Sequence, residues 1–186
     1  MENLIQRRKF LGAFASASVV GASLYTFDSH AQRAPDVIFV PTDFQVVIAM
    51  LKLAGVTKND IVYDLGCGDG RFVVTAARQF GARGVGIDID PDRIQEANEL
   101  AQRTGASDRV RFVQGDLFQA DISEATVVTL YLLTRLNLKL KPKLLAELKP
   151  GTRIVSHAFD MGDWAPEKRE NIGGSTVYLW RVPPRE

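Results

Sequence analysis

A chain of 186 residues, 46% hydrophobic and 24% charged, is long enough for one domain with a proper core and too apolar to be disordered. Its 23 basic and 22 acidic residues leave a net charge of +1, and no Lys/Arg cluster marks a basic face, so no partnership with nucleic acid is expected. One cysteine, Cys67, and two histidines, His30 and His157, exclude an intrachain disulfide framework and a Cys- or His-rich metal site, and no metal is expected.

Residues 1–31 read as a targeting segment. Arg7-Arg8-Lys9-Phe10-Leu11 resembles a twin-arginine export signal. A weakly apolar run from Phe10 to Phe27 follows, rich in Ala, Ser and Gly. Ser29-His30-Ala31 then offers small residues at the positions a signal peptidase reads. The run is at the short end of the roughly 17–25 residues needed to span a bilayer. Residues 1–31 are therefore expected to be an export signal or a membrane anchor, and residues 32–186 the functional domain. This implies either a periplasmic location by the twin-arginine route or attachment at the inner membrane.

From Pro35 onward, strand and helix patterns alternate. Pro41-Thr42-Asp43-Phe44-Gln45 opens a helix with Thr42 as its expected N-cap and Gln45 as the capping-box partner. Phe44, Val47, Leu51 and Ala54 recur at helical spacing, and Gly55 stops the helix. Ile61 to Leu65 is a short apolar run entering glycines and reads as a buried strand. Arg71 to Phe80 is a helix, and Gly84 to Asp88 a second strand. Asp90 caps the next helix, with Pro91 at its first position, Ile94, Ala97 and Ala101 facing inward, and Gly105 as its stop. Arg109 to Val113 and Thr126 to Leu132 are the third and fourth strands. Residues 135–148 are helical, restarting at Pro142, with Leu138, Leu144, Leu145 and Leu148 on the apolar side. Arg153 to Ala158 is the fifth strand, and the runs around 168–172 and 175–182 pair as a hairpin across Gly173-Gly174. The alternation predicts an α/β, Rossmann-like three-layer sandwich: a mostly parallel sheet with an antiparallel edge strand. Ligands of such sheets sit at the carboxyl ends of the strands. That rule gathers Asp64–Gly70, Asp88–Asp90, Gly115–Phe118 and Tyr131–Thr134 around one crevice.

A glycine loop between a strand and a helix suits several cofactors. Here the spacing is Gly66-x-Gly68-x-Gly70, neither the dinucleotide nor the P-loop pattern. The loop also carries Asp64 and Asp69, which would meet a pyrophosphate unfavourably. S-adenosyl-L-methionine has no phosphate, and its sulfonium and ammonium suit carboxylates. Asp88 ends strand two, where a carboxylate can accept both ribose hydroxyls, and Ile89 follows as an apolar cover for the adenine. Asp116 ends strand three, where it can take the adenine amino group beside the backbone N–H of Leu117. The expected cofactor residues are thus Asp64, Gly66, Gly68, Gly70, Asp88, Ile89, Asp116 and Leu117. Cys67 is expected to be a small loop residue, because a nucleophile needs a histidine partner and none is near in sequence.

With these stretches in place, the chain resembles the seven-strand class I methyltransferases, and among them the archaeal and mitochondrial protein-lysine methyltransferases. The resemblance rests on Val40-Pro41-Thr42, Val62 to Arg71, Gly84 to Asp88, Ser123 to Thr129, Leu132-Leu133-Thr134, Lys149 to Arg153 and Val155-Ser156-His157. It implies methyl transfer to lysine side chains of a protein substrate. It also implies that the segment after Pro41 packs over the cofactor, with Thr42 near its methionine end. A monomer is expected.

The acceptor pocket should lie at the ends of strands four and five. Many methyltransferases acting on bases or glutamine carry Asp/Asn-Pro-Pro-Tyr after strand four; here the place reads Tyr131-Leu132-Leu133-Thr134. Tyr131 and His157 are the candidate catalytic residues. Tyr131 orients the amine or is half-buried packing; His157 accepts a proton or is held into the sheet end. Trp164 lines the entrance or covers the sheet. Three rival readings stay open: a small-molecule N- or O-methyltransferase, a non-catalytic cofactor-binding scaffold, and a nicotinamide enzyme.

Overall fold

A computed structural model describes residues 39–185, so the reading of residues 1–31 lies outside the described residues. The elements run α1 (Phe44–Leu53), β1 (Ile61–Leu65), α2 (Arg71–Phe80), β2 (Arg83–Asp88), α3 (Pro91–Thr104), β3 (Val110–Gln114), β4 (Val127–Leu130), α4 (Thr134–Glu147), β5 (Arg153–His157), β6 (Lys168–Ile172) and β7 (Ser175–Arg181). Seven strands form one sheet in the order β3-β2-β1-β4-β5-β7-β6. The first five are mutually parallel; β7 enters antiparallel beside β5 and pairs antiparallel with β6. This is the expected sandwich, with a hairpin forming its antiparallel margin.

The period of two along each strand divides the core. Val62, Val127 and Val155 face α1 and α2, where Val47, Met50, Leu51, Phe72 and Val73 cover them. Tyr63, Leu65, Val128, Leu130 and Ile154 face the other way, under Leu136, Leu140 and Leu144 of α4. Burial on both faces is what a parallel sheet requires. The register aligns Leu65 with Ile87 and Leu130, so the loops that leave β1, β2 and β4 open at one margin. β3 and β5 join that margin through the pairs Asp88–Gln114 and Leu130–Ser156.

Three local expectations are corrected. Asp43, not Thr42, caps α1, its carboxylate accepting from Gln45 N at 2.8 Å, while Thr42 turns inward. Phe44 and Leu138 are exposed and not part of the core; their neighbours Val46 and Leu140 fill the inward places. α4 also passes through Pro142 without restarting. The carbonyl that Pro142 leaves unpaired belongs to exposed Leu138, where water can reach it, so the helix continues.

Candidate active site

The glycine loop leaves β1 and folds back against β2: the N–H groups of Gly66 and Cys67 both donate to Ile87 O, at 2.8 and 3.0 Å. Gly68 has φ of 51°, and a Cβ there would overlap the Phe39 ring. Gly70, at φ of 78°, is the left-handed residue before α2, and a Cβ would fall 2.6 Å from Phe112. Of the three glycines only Gly66 lines the cleft that follows; Gly68 and Gly70 act through close packing. Cys67 is buried, and that burial pushes its thiol well up, so it is no nucleophile.

The cleft has a volume of about 550 Å³ and opens at the carboxyl ends of β1 to β4. Among the residues proposed from sequence, Thr42, Asp64, Gly66, Asp88, Ile89, Asp116, Leu117 and Tyr131 line it together. Asp88 is held at both oxygens: Oδ2 accepts from Gly68 N at 2.9 Å and Oδ1 from Asp90 N at 3.0 Å. Each oxygen retains a lone pair for a ligand hydroxyl. Asp116 Oδ1 accepts from Phe118 N at 2.9 Å, which orients the carboxylate at the β3 end. Asp64 is buried, and burial pushes its carboxyl up to about 8, although the Thr129 hydroxyl donates to it at 2.6 Å. A buried carboxyl held this high is a site that a cation would stabilise.

Asp69 does something other than expected. It does not line the cleft but is clasped by Arg71, whose Nε donates to Oδ1 at 2.9 Å and Nη2 to Oδ2 at 2.5 Å. The loop therefore presents to the cleft one carboxyl, that of Asp64, and not two.

Sequence reasoning missed several cleft residues. Phe39 and Val40 lie with Thr42 in a strap across the cleft, and Arg93 joins the lining with its guanidinium 5.0 Å from the Phe39 ring centre. Arg71, also in the lining, donates from Nη1 to Thr42 O. A cation spaced two residues after a carboxylate in the loop was the available signal for the Asp69–Arg71 pair.

On the β4–β5 side, Tyr131 stands in the lining, its ring centre 4.0 Å from that of His157 and 6.1 Å from that of Phe159. His157 itself stands behind this wall, buried, with Nδ1 3.0 Å from Thr42 Oγ1. Burial lowers its pKa, so the ring is neutral at neutral pH. Asn137 is fully buried and clamps the turn after β5, its Nδ2 donating to Phe159 O at 3.2 Å and Asp160 O at 3.1 Å. Trp164 covers the sheet and is not part of the cleft lining: its carbonyl accepts from Trp180 Nε1 at 2.7 Å.

The family model described as ANTKMT methyltransferase domain matches residues 64–168, which run from the end of β1 to the start of β6 and include every carboxylate of the cleft. The chain belongs to this methyltransferase family. A protein-lysine N-methyltransferase of Saccharolobus islandicus is 49% identical over 80% of this chain and 95% of its own length. The adenine nucleotide translocase lysine N-methyltransferase of Mus musculus is 34% identical over 64% of this chain and 52% of its own. A solved structure described as an RNA methyltransferase from Salinibacter ruber, in complex with S-adenosyl-L-homocysteine, is 57% identical, covers 79% of this chain and 96% of its own, and superposes with a TM-score of 0.78.

The donor set fits the methyl-bearing form of that ligand. A carboxyl destabilised by burial would suit a cation, a doubly anchored carboxylate would suit a pair of hydroxyls, and Ile89 and Leu117 could offer apolar faces to a base.

Proposed function

We propose that this enzyme transfers the methyl group of S-adenosyl-L-methionine to the side-chain amine of a lysine on a protein substrate. The observation that carries the reading is the 49% identity to a protein-lysine N-methyltransferase across 95% of that relative's length. The cofactor supplies an activated methyl group on a sulfonium. The chain's own residues bind, orient and exclude water. Asp64 receives the cationic end, Asp88 the ribose, and Asp116, Ile89 and Leu117 the adenine, while Gly66 lets the backbone approach and Thr42 belongs to the strap above.

An acceptor lysine must lose a proton before it can attack, which costs on the order of 4–5 kcal/mol at pH 7 for an amine whose pKa in water is near 10.4. Placing that amine against the aromatic rings of Tyr131 and Phe159, beside a cationic sulfonium, would lower that cost without a dedicated base. Tyr131 is the side chain placed to orient the amine, because it lines the cleft while its ring rests on His157. His157 holds Tyr131 and Thr42 in place as a neutral, buried ring and is better described as a positioning residue than as a base.

A second reading, an RNA acceptor, is favoured by the description of the Salinibacter ruber protein. Against it stand the 49% identity to a protein-lysine N-methyltransferase and a near balance of 23 basic and 22 acidic residues, which supplies no strong pull on a phosphate backbone. The deciding experiment incubates the purified enzyme with radiolabelled S-adenosyl-L-methionine and a whole lysate, then splits the sample between protease and ribonuclease. Label removed by protease and recovered as methyl-lysine supports the lysine reading. Label removed by ribonuclease, or found only in small molecules, overturns it.

Residues 1–31 are proposed as an export signal or inner-membrane anchor on sequence alone. Among the described residues no helix is long and apolar enough to cross a membrane. Fractionation of the full chain with a C-terminal tag distinguishes a cleaved periplasmic form from a membrane-bound one.

A further inference from the structure

S-adenosyl-L-methionine carries an anion as well as two cations: the carboxylate of its amino-acid end. The carboxylates that serve its other groups would repel that anion, so a cation must compensate in the cleft. Two guanidiniums line it. Arg93 pairs with Glu96 at 2.7 Å over the ring of Phe39, and its neighbour Asp90 belongs to the β2 end that would hold the ribose; Arg71 is paired too, with Asp69, and lies over Phe44, so position and not engagement separates the two. Arg71 stands on the other side. Its Nη1 donates to Thr42 O, and Thr42 reaches His157 at the end of β5, so Arg71 lies toward β4 and β5 and not toward the ribose.

We infer that Arg71 binds the carboxylate of the cofactor's amino-acid end, while Asp64 takes the ammonium beside it. Three of the five guanidinium N–H groups are engaged, by Asp69 through Nε and Nη2 and by Thr42 O through Nη1, which leaves one N–H on each terminal nitrogen. Asp69 fixes the orientation of the guanidinium, and a planar fork held on one edge is preorganised to receive a carboxylate on another. The role assigned to Asp69 therefore changes: it holds the group that meets the anion and does not meet the cofactor's cations itself. The motif Asp69-Gly70-Arg71 becomes a reader of the cofactor's amino-acid end. Asp64 and Arg71, both in the cleft lining, together form a pair complementary to a zwitterion.

The inference rests on the cofactor and not on the acceptor. Its test uses binding alone. Isothermal titration compares S-adenosyl-L-methionine with its decarboxylated form, which keeps the sulfonium, the amine and the nucleoside. The wild-type chain is expected to prefer the carboxylated form by roughly tenfold or more, the ratio of a charge-assisted bidentate contact. Arg71→Met is expected to lose that preference by weakening S-adenosyl-L-methionine while leaving the decarboxylated form within about twofold. Equal affinities of the wild type for the two ligands would overturn the assignment without any variant being made. So would an Arg71→Met variant that weakens both ligands by the same factor, since that is the signature of a pin for the strap alone. Binding of neither form by the wild type would overturn the cofactor, and Arg71's role with it.

Discussion

Asp64 is the next-to-last residue of β1, a strand otherwise given to packing, and its titration ties stability to binding. Burial raises its carboxyl from 3.8 to about 8. Between those values the folded chain keeps a proton that the unfolded chain has released, so the stability this group contributes is fully present below about pH 4 and is lost as the pH rises through about 8. Asp64→Asn removes the dependence. The ligand-free variant should melt higher than the wild type at about pH 8 and bind the cofactor at least about tenfold more weakly. A cationic ligand favours the carboxylate, so wild-type affinity for S-adenosyl-L-methionine should climb from about pH 6 to about pH 8 and then level off, with proton release seen by calorimetry in buffers of different ionisation heat. A flat profile would refute the pairing. Asp88 and Tyr131 separate binding from turnover. Asp88→Ala should abolish measurable cofactor binding, because both ribose contacts and the brace on Gly68 N go at once. Tyr131→Phe keeps the ring against His157 and should lower kcat by about tenfold at unchanged cofactor affinity.

At the scale of elements, the strap from Phe39 to Asp43 was the least legible part of the site. The sequence shows a Pro-Thr-Asp run before a helix and gives Thr42 to the cap by local rules. Tertiary contacts override that rule, because Thr42 reaches His157 across 115 positions of chain, and Asp43 fills the cap instead. Long-range hydrogen bonds leave no periodic trace. By contrast, α2 and the β6–β7 hairpin begin and end where Gly70, Gly81 and Gly173-Gly174 stand, so their bounds could be read directly. The carboxylates at strand ends were legible for the same reason: the strand pattern fixes the end, and the end fixes the place of the side chain. Arg71 was legible only in part: its place two residues after Asp69 signals that pair, but nothing in a linear pattern shows that it also reaches Thr42 O. The strap makes its own prediction. Gly68→Ala drives a methyl group into Phe39 and holds alanine in the left-handed region, the latter costing about 1 kcal/mol. The melting temperature should fall and cofactor affinity with it. Adding Phe39→Ala should return most of the lost stability in a thermal melt; a double variant as unstable as the single one would show that the ring is not the obstacle.

At the scale of the whole sheet, the sandwich places the cleft on one margin, and among the described residues β3 and β6 are the strands with a neighbour on one side only. The β6 edge carries Lys168, Arg169 and Glu170, all exposed, and the β3 edge exposes Arg111. Unpaired backbone along such edges is a template on which a second chain can add a strand, and closely spaced charges of both signs make that addition unfavourable. The dissolved enzyme should therefore stay dispersed when concentrated. A variant with Lys168, Arg169 and Glu170 all changed to Thr should scatter light and gain thioflavin fluorescence at concentrations where the parent stays clear. The charged ribbon that closes the sheet is, in this sense, a colloidal safeguard: it governs how densely the enzyme can be packed before it begins to build fibrils from its own margin.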